Sequence, residues 1–177
     1  MQRILITGMS GTGKSTLIEA LAARGFKAMD TDYGGYSRLV DAVPGELTGP
    51  GGGQDWIWDE DRIQQLLSTE DAGVLFVGGC SPNQGKFYEQ FDRIVLLTAA
   101  EPVIAARLAT RVNNPFGKDD GELERTLQLK RLVEPALRRA AGLEIDTSAP
   151  LDEVVQAVLK LVEPDSDSGP GGAPRDG

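Results

Sequence analysis

Ile4-Leu5-Ile6-Thr7-Gly8-Met9-Ser10-Gly11-Thr12-Gly13-Lys14-Ser15-Thr16-Leu17 is the stretch that decides the fold. An apolar run of strand type enters a glycine-rich turn. Residues at helical spacing leave it, with Leu17, Ile18, Leu21 and Ala22 on one face. Gly8, Gly13, Lys14 and Ser15 fill every fixed position of G-x-x-x-x-G-K-[ST], and Gly11 adds backbone freedom. The chemistry requires these residue types. Glycines let successive N–H groups converge on phosphate oxygens, and the following helix presents its positive end. The pattern assigns Gly8, Ser10, Gly11, Thr12, Gly13, Lys14, Ser15 and Thr16 to the phosphates of ATP. Lys14 would reach the β- and γ-phosphates, and Ser15 would ligate Mg²⁺.

Beyond this loop, short apolar runs alternate with helical patterns, which indicates βαβ units and a parallel sheet. Strands are expected at Arg3–Thr7, Lys27–Asp30, Val74–Val77, Arg93–Leu97 and Leu143–Asp146. Helices are expected at Ser15–Arg24, after an Asp59 cap with Trp58 stapled over Ile63, at Glu101–Arg111, at Glu124–Ala141 and at Leu151–Val162. Leu129, Leu132, Val133, Ala136, Leu137 and Ala140 make an apolar stripe on the fourth of these, which Pro135 should kink or split. Pro44–Gln54, rich in glycine and proline, reads as a mobile loop. Residues 1–163 read as one domain and 164–177 as a disordered tail.

Composition excludes several functions. Net charge is −9, the wrong sign for a surface that coats nucleic acid. There is no histidine, so Ser-His-Asp triads, His-ligated zinc and imidazole bases are all absent. Cys80 is the only cysteine, which forbids an internal disulfide and suits the reducing cytoplasm. No apolar run approaches the roughly 20 residues of a membrane span. The apolar part of the first residues is too short for a secretory signal. Either a monomer or a homodimer is compatible with this composition.

A GTPase would carry an N/T-K-x-D base-reading motif, and none occurs. AAA+ and ABC machines need more chain and an acidic Walker B strand, whereas Val74-Leu75-Phe76-Val77-Gly78-Gly79-Cys80 ends without an acid. The small-kinase class remains. Asp30-Thr31-Asp32 follows the second strand, where doubly wound sheets place ligand-facing residues. One acid can hold Mg²⁺ and the other can accept a hydroxyl proton as phosphoryl transfer begins. A pair of turn-forming aspartates accounts for the same three residues.

With Gly8–Thr16, Asp30-Thr31-Asp32 and Gly78-Gly79, the chain resembles shikimate kinase and the nucleoside-monophosphate-kinase-like group. The resemblance implies a three-layer α/β P-loop kinase fold with a five-stranded parallel sheet, an acceptor-binding insertion and a short lid near 112–121. It implies Asp30 as an aid to Mg²⁺, Asp32 as the contact to the acceptor hydroxyl, and close acceptor approach at Gly78 and Gly79. ATP and a small-molecule acceptor would be the partners. Shikimate kinases hold their substrate's carboxylate with an arginine, but here Gln54-Asp55-Trp56-Ile57-Trp58-Asp59-Glu60-Asp61 is acidic and aromatic. Shikimate is therefore not the expected substrate.

Arg107 and Arg111 share a helical face leading into the lid segment, where arginines can neutralise the transferring phosphoryl, with Lys118 able to join them. Solvated surface arginines are the alternative. Arg131 and Arg138 share a face of the next helix and point to the cleft in the same reading. Between Tyr33 and Gly73, eight acids stand against Arg38 and Arg62, a local net of −6. A phosphate-bearing acceptor would want the opposite sign. The expected acceptor is neutral or cationic: a sugar, nucleoside or amine-bearing metabolite, with Trp56 or Trp58 as stacking surface or, equally, as core. Arg38 is the residue that would support a nucleotide acceptor instead. Asn83, Gln84 and Lys86 are further candidates to orient the acceptor. A non-catalytic nucleotide-binding regulator is the reading from another class.

Overall fold

A computed structural model describes residues 1–41, 54–110 and 120–162. The elements are β1 (Gln2–Thr7), α1 (Lys14–Ala23), β2 (Lys27–Asp30), β3 (Ser37–Asp41), β4 (Gln54–Trp58), α2 (Glu60–Leu67) and β5 (Val74–Gly78). A 3₁₀ helix at Gln84–Gln90 follows, then β6 (Arg93–Thr98), α3 (Glu101–Thr110), α4 (Asp120–Ala140), β7 (Leu143–Asp146) and α5 (Leu151–Leu159).

Strands β2, β5, β1, β6 and β7 lie in that order in a parallel five-stranded sheet. Its centre is Ile4, Leu5, Ile6, Leu75, Phe76, Val77, Val95, Leu96 and Leu97, all fully buried. Successive residues on a strand face opposite layers, so near-continuous apolar runs supply both cores. Ile4, Ile6 and Phe76 pack with Leu17 and Leu21 of α1 and Val155 and Val158 of α5. Leu5, Leu75 and Val77 pack with Trp58, Ile63, Leu66 and Phe87 on the other side. The three layers follow. From β1 the chain runs first to β2 on one side and later, from β5, to β6 on the other, so the carboxyl end of β1 is the switch point where such folds bind ligands.

At the α2 start, the Asp59 carboxylate accepts from Arg62 N at 3.1 Å, and Trp58 and Ile63 share a core, as cap and staple require. Among the described residues no helix is long and apolar enough to cross a membrane.

Several expectations change. Ser37–Asp41 and Gln54–Trp58 form an antiparallel hairpin that the sequence reading omitted, and Gln54, assigned to a loop, begins its second strand. The intervening 42–53 lies outside the described residues. Helix α4 runs unsplit through Pro135, and Leu132 is 59% exposed. Its buried positions are Thr126, Glu134 and Leu137. Glu134 is satisfied there by Lys130 Nζ at 2.6 Å, Arg138 Nη2 at 2.8 Å and Thr98 Oγ1 at 3.2 Å. This polar network seats the helix together with buried Leu137 and with Leu123 and Leu127, which pack against Ala99, Ile104 and Leu108. Ala22 of α1 is exposed as well.

Candidate active site

The loop after β1 is held by glycines where no other residue would fit easily. Gly11 and Gly13 take φ of 83° and 93°, and a Cβ on Gly8 would overlap Leu97 O. Thr12 Oγ1 closes the loop on Met9 O at 2.7 Å. Gly13 caps α1 and offers no side chain to the first helical N–H groups, which are the donors a phosphate uses. Lys14 is buried, its ammonium donating to Gly8 O at 2.8 Å. Ser10 is half-buried in the loop and Ser15 in the first turn of α1, where Thr16 is exposed.

The sheet brings the acid pair to this loop. Lys14 Nζ lies 3.4 Å from Asp32 Oδ2, and Asp32 Oδ1 accepts from Cys80 N at 3.1 Å. Asp30 accepts from Asp32 N at 3.0 Å and is hydrogen-bonded by Ser15. Burial opposes the Lys14 charge, but the neighbouring carboxylates, Asp32 above all, outweigh it and set its pKa above the ordinary lysine value. Burial raises Asp30, only partly offset by the Ser15 hydrogen bond. Burial also raises the Cys80 thiol, which favours the protonated, packed form. Ser15 and Asp30 together supply a hydroxyl and a carboxylate, the donor set Mg²⁺ takes from protein when phosphates supply the rest. The residues fit a magnesium-bound nucleotide.

On the β6–β7 side, Arg107 Nη2 donates to Thr147 O at 2.6 Å, and Nη1 to Thr147 Oγ1 at 2.9 Å and Gly11 O at 3.4 Å. Thr147 Oγ1 donates to Thr12 O at 2.8 Å. The turn after β7 is thus bolted to the phosphate loop, a contact that sequence spacing did not signal. Thr147→Val should cost about 1–3 kcal/mol by stranding buried carbonyls. It should also weaken ATP binding several-fold, read by denaturant unfolding and calorimetric titration. Arg111, Lys118 and lid residues 112–119 lie outside the described residues.

Other assigned residues are placed elsewhere. Arg138 is on the β7 edge, bonded to Glu144 at 2.7 Å and Glu134 at 2.8 Å, across the sheet from the acid pair. Arg131 is held by Glu101 at 2.7 Å. Trp58 is fully buried against Phe87, so it is a core residue, while Trp56 is 63% exposed. Arg38 is exposed on β3. Asn83 binds Trp58 O, Gln84 binds Tyr88 and Thr7, and Lys86 pairs with Glu60, so all three stitch structure together. The Gly78 and Gly79 positions have packing reasons of their own. A Cβ on Gly78 would meet Ile18 Cγ1 at 2.5 Å, and one on Gly79 would overlap Thr31 Oγ1 and press Trp58 at 3.1 Å. Gly79→Ala should therefore lower stability by about 1–3 kcal/mol, visible as a reduced denaturant midpoint.

The acidic surplus is also redistributed. Glu70 pairs with Met1 N and Arg3, and Asp71 with Lys27, at the opposite end of the strands from Asp32. Arg62, unassigned above, donates to Gly35 O at 2.7 Å and pins the turn after Asp32 to α2.

A family model described as an AAA domain matches residues 4–128. A nucleotide-binding protein of Thermosipho africanus is 28% identical over 82% of this chain but 48% of its own length, so this chain spans about half of that relative. An adenylate kinase of Clavibacter michiganensis is 26% identical, covering 96% of this chain and 99% of that one. The shikimate kinase from Acinetobacter baumannii in complex with shikimate superposes with a TM-score of 0.60 at 20% identity, over 92% of this chain and 93% of that one. The chain belongs to the AAA domain family and has the three-layer α/β P-loop kinase fold seen in shikimate kinase structures.

Proposed function

We propose that this chain is a cytoplasmic, ATP-dependent phosphotransferase that moves the γ-phosphoryl of MgATP to a hydroxyl of a small neutral or cationic acceptor. One observation carries the reading: the phosphate-loop lysine and a carboxylate from the turn after β2 lie together, Lys14 Nζ 3.4 Å from Asp32 Oδ2. A mere phosphate cradle has no use for that second acid.

In the transfer, Asp32 accepts the proton as the acceptor's O–H bond breaks and its oxygen bonds to the γ-phosphorus. The bond from that phosphorus to the β–γ bridging oxygen breaks, and ADP leaves. Lys14 trades its contact with Asp32 for the phosphates and follows the charge onto the leaving oxygen. Bound at Ser15 and Asp30, Mg²⁺ would supply charge neutralisation of the phosphates. Arg107 guards the loop from the β7 side, adding positive charge beside Gly11 and Gly13.

The adenylate kinase relative favours a second reading, a nucleoside monophosphate kinase. ADP release measured across nucleosides, sugars, amino alcohols and nucleoside monophosphates separates the two. Faster turnover of AMP or CMP than of every neutral alcohol would assign the second. ATP binding without acceptor-dependent release would leave a nucleotide-binding regulator. Lys14→Ala excludes contaminating ATPase.

A further inference from the structure

The β3–β4 hairpin stands apart from the main sheet. Its register pairs Ser37 with Trp58 and Leu39 with Trp56, and alternation places these four on one face. The base of that face is fixed at the acid pair. Ser37 Oγ donates to Thr31 O at 2.8 Å, and the Trp58 ring edge is what a Cβ on Gly79 would press, Nε1 at 3.2 Å. Thr31 precedes Asp32, and Gly79 precedes the Cys80 N–H that Asp32 accepts from. Further out, Leu39 and Trp56 are 47% and 63% exposed, directly opposite one another. The step from Trp58 to Trp56 is about 7 Å, two residues of strand rise.

One feature points to what this face receives: it carries no cation. Ser37, Leu39 and Asp41 oppose Trp58, Trp56 and Gln54, whereas Arg38 is paired with Ile57 on the other face.

We infer that the acceptor is a hydroxyl compound with a flat, uncharged or cationic ring, a nucleoside or aromatic alcohol in shape. Its ring lies on Trp56 and Leu39, and its hydroxyl meets Asp32. This rests on the phosphotransferase reading. An aromatic platform binds any π-face. A polyol gains little from it, and a carboxylate or phosphate finds no partner there.

The test is ADP release by wild type, Trp56→Ala, Trp56→Phe and the remote control Leu132→Ala. Three compound classes are compared: nucleosides with aromatic alcohols, open-chain polyols, and anionic alcohols including shikimate and AMP. The ring-bearing neutral class should be turned over best. Trp56→Ala should raise its KM about tenfold or more, the scale of lost base stacking, with KM for ATP unmoved. Trp56→Phe should restore most of the loss. Preference for polyols or anions overturns the inference, as does an acceptor KM unchanged in Trp56→Ala. A dimer that dissociates on Trp56→Ala would overturn it too, by giving the face to a second copy. In each case the phosphotransferase reading stands. ATP binding with no ADP release from any class overturns that reading, and this inference with it.

Discussion

Asp32→Asn should cut turnover by about 10²–10⁴-fold, the usual worth of a positioned base, while ATP binds as well as before or slightly better. Asparagine keeps an Oδ1 that can accept from Cys80 N, the contact now at 3.1 Å. It loses the proton acceptor and the charge that faces Lys14 at 3.4 Å. That charge competes with phosphate for the ammonium, so removing it frees Lys14 for the nucleotide. Calorimetric titration with ATP beside steady-state ADP release reads both halves. A purely structural Asp32 would show parallel loss of binding and turnover; a regulator would show little change.

Lys14→Met should abolish both, with turnover down at least about 10²–10³-fold and ATP affinity sharply reduced. The fold should survive. Methionine keeps the length and fills the buried space, at a cost of about 1–3 kcal/mol for the Gly8 carbonyl that loses its 2.8 Å donor. The counter-charge left behind, Asp32, is about one-third exposed and can turn to water. Cooperative thermal unfolding at a modestly lowered midpoint, with lost nucleotide protection against heating, is the expected pair of results. A folded variant that still binds ATP tightly would remove Lys14 from the donor site.

Much of this was legible because the relevant physics is local. The strands are apolar runs buried on both faces, and Gly8 through Ser15 is a contiguous motif whose backbone geometry follows from its glycines. Asp30 and Asp32 end a short strand whose own sequence is weak, yet its place after the first helix was enough. What escaped was non-local. The hairpin's partners, Ser37–Asp41 and Gln54–Trp58, are separated by a glycine- and proline-rich stretch, so neither arm carries its pairing in its own sequence. Trp56 and Trp58 read alike, two residues apart, but Gly79 and Phe87 bury one and leave the other at the surface. Charge counting placed Glu70 and Asp71 in the acceptor region, whereas strand direction carries them to the far end of the sheet. Arg138 looked available until Glu134 and Glu144 took it. Thr147 reaches the loop from 135 residues away, which no local pattern announces.

The central claim is that one site holds donor phosphates on Lys14 and deprotonates an acceptor hydroxyl with Asp32. Following radiolabel from the γ-position of ATP tests it most directly, using wild type and Asp32→Asn with a ring-bearing alcohol as acceptor. Label should appear in a phosphorylated alcohol with wild type and vanish from it in Asp32→Asn, while ATP affinity holds. Label found only in inorganic phosphate, or the same alcohol product from both proteins, would contradict the account.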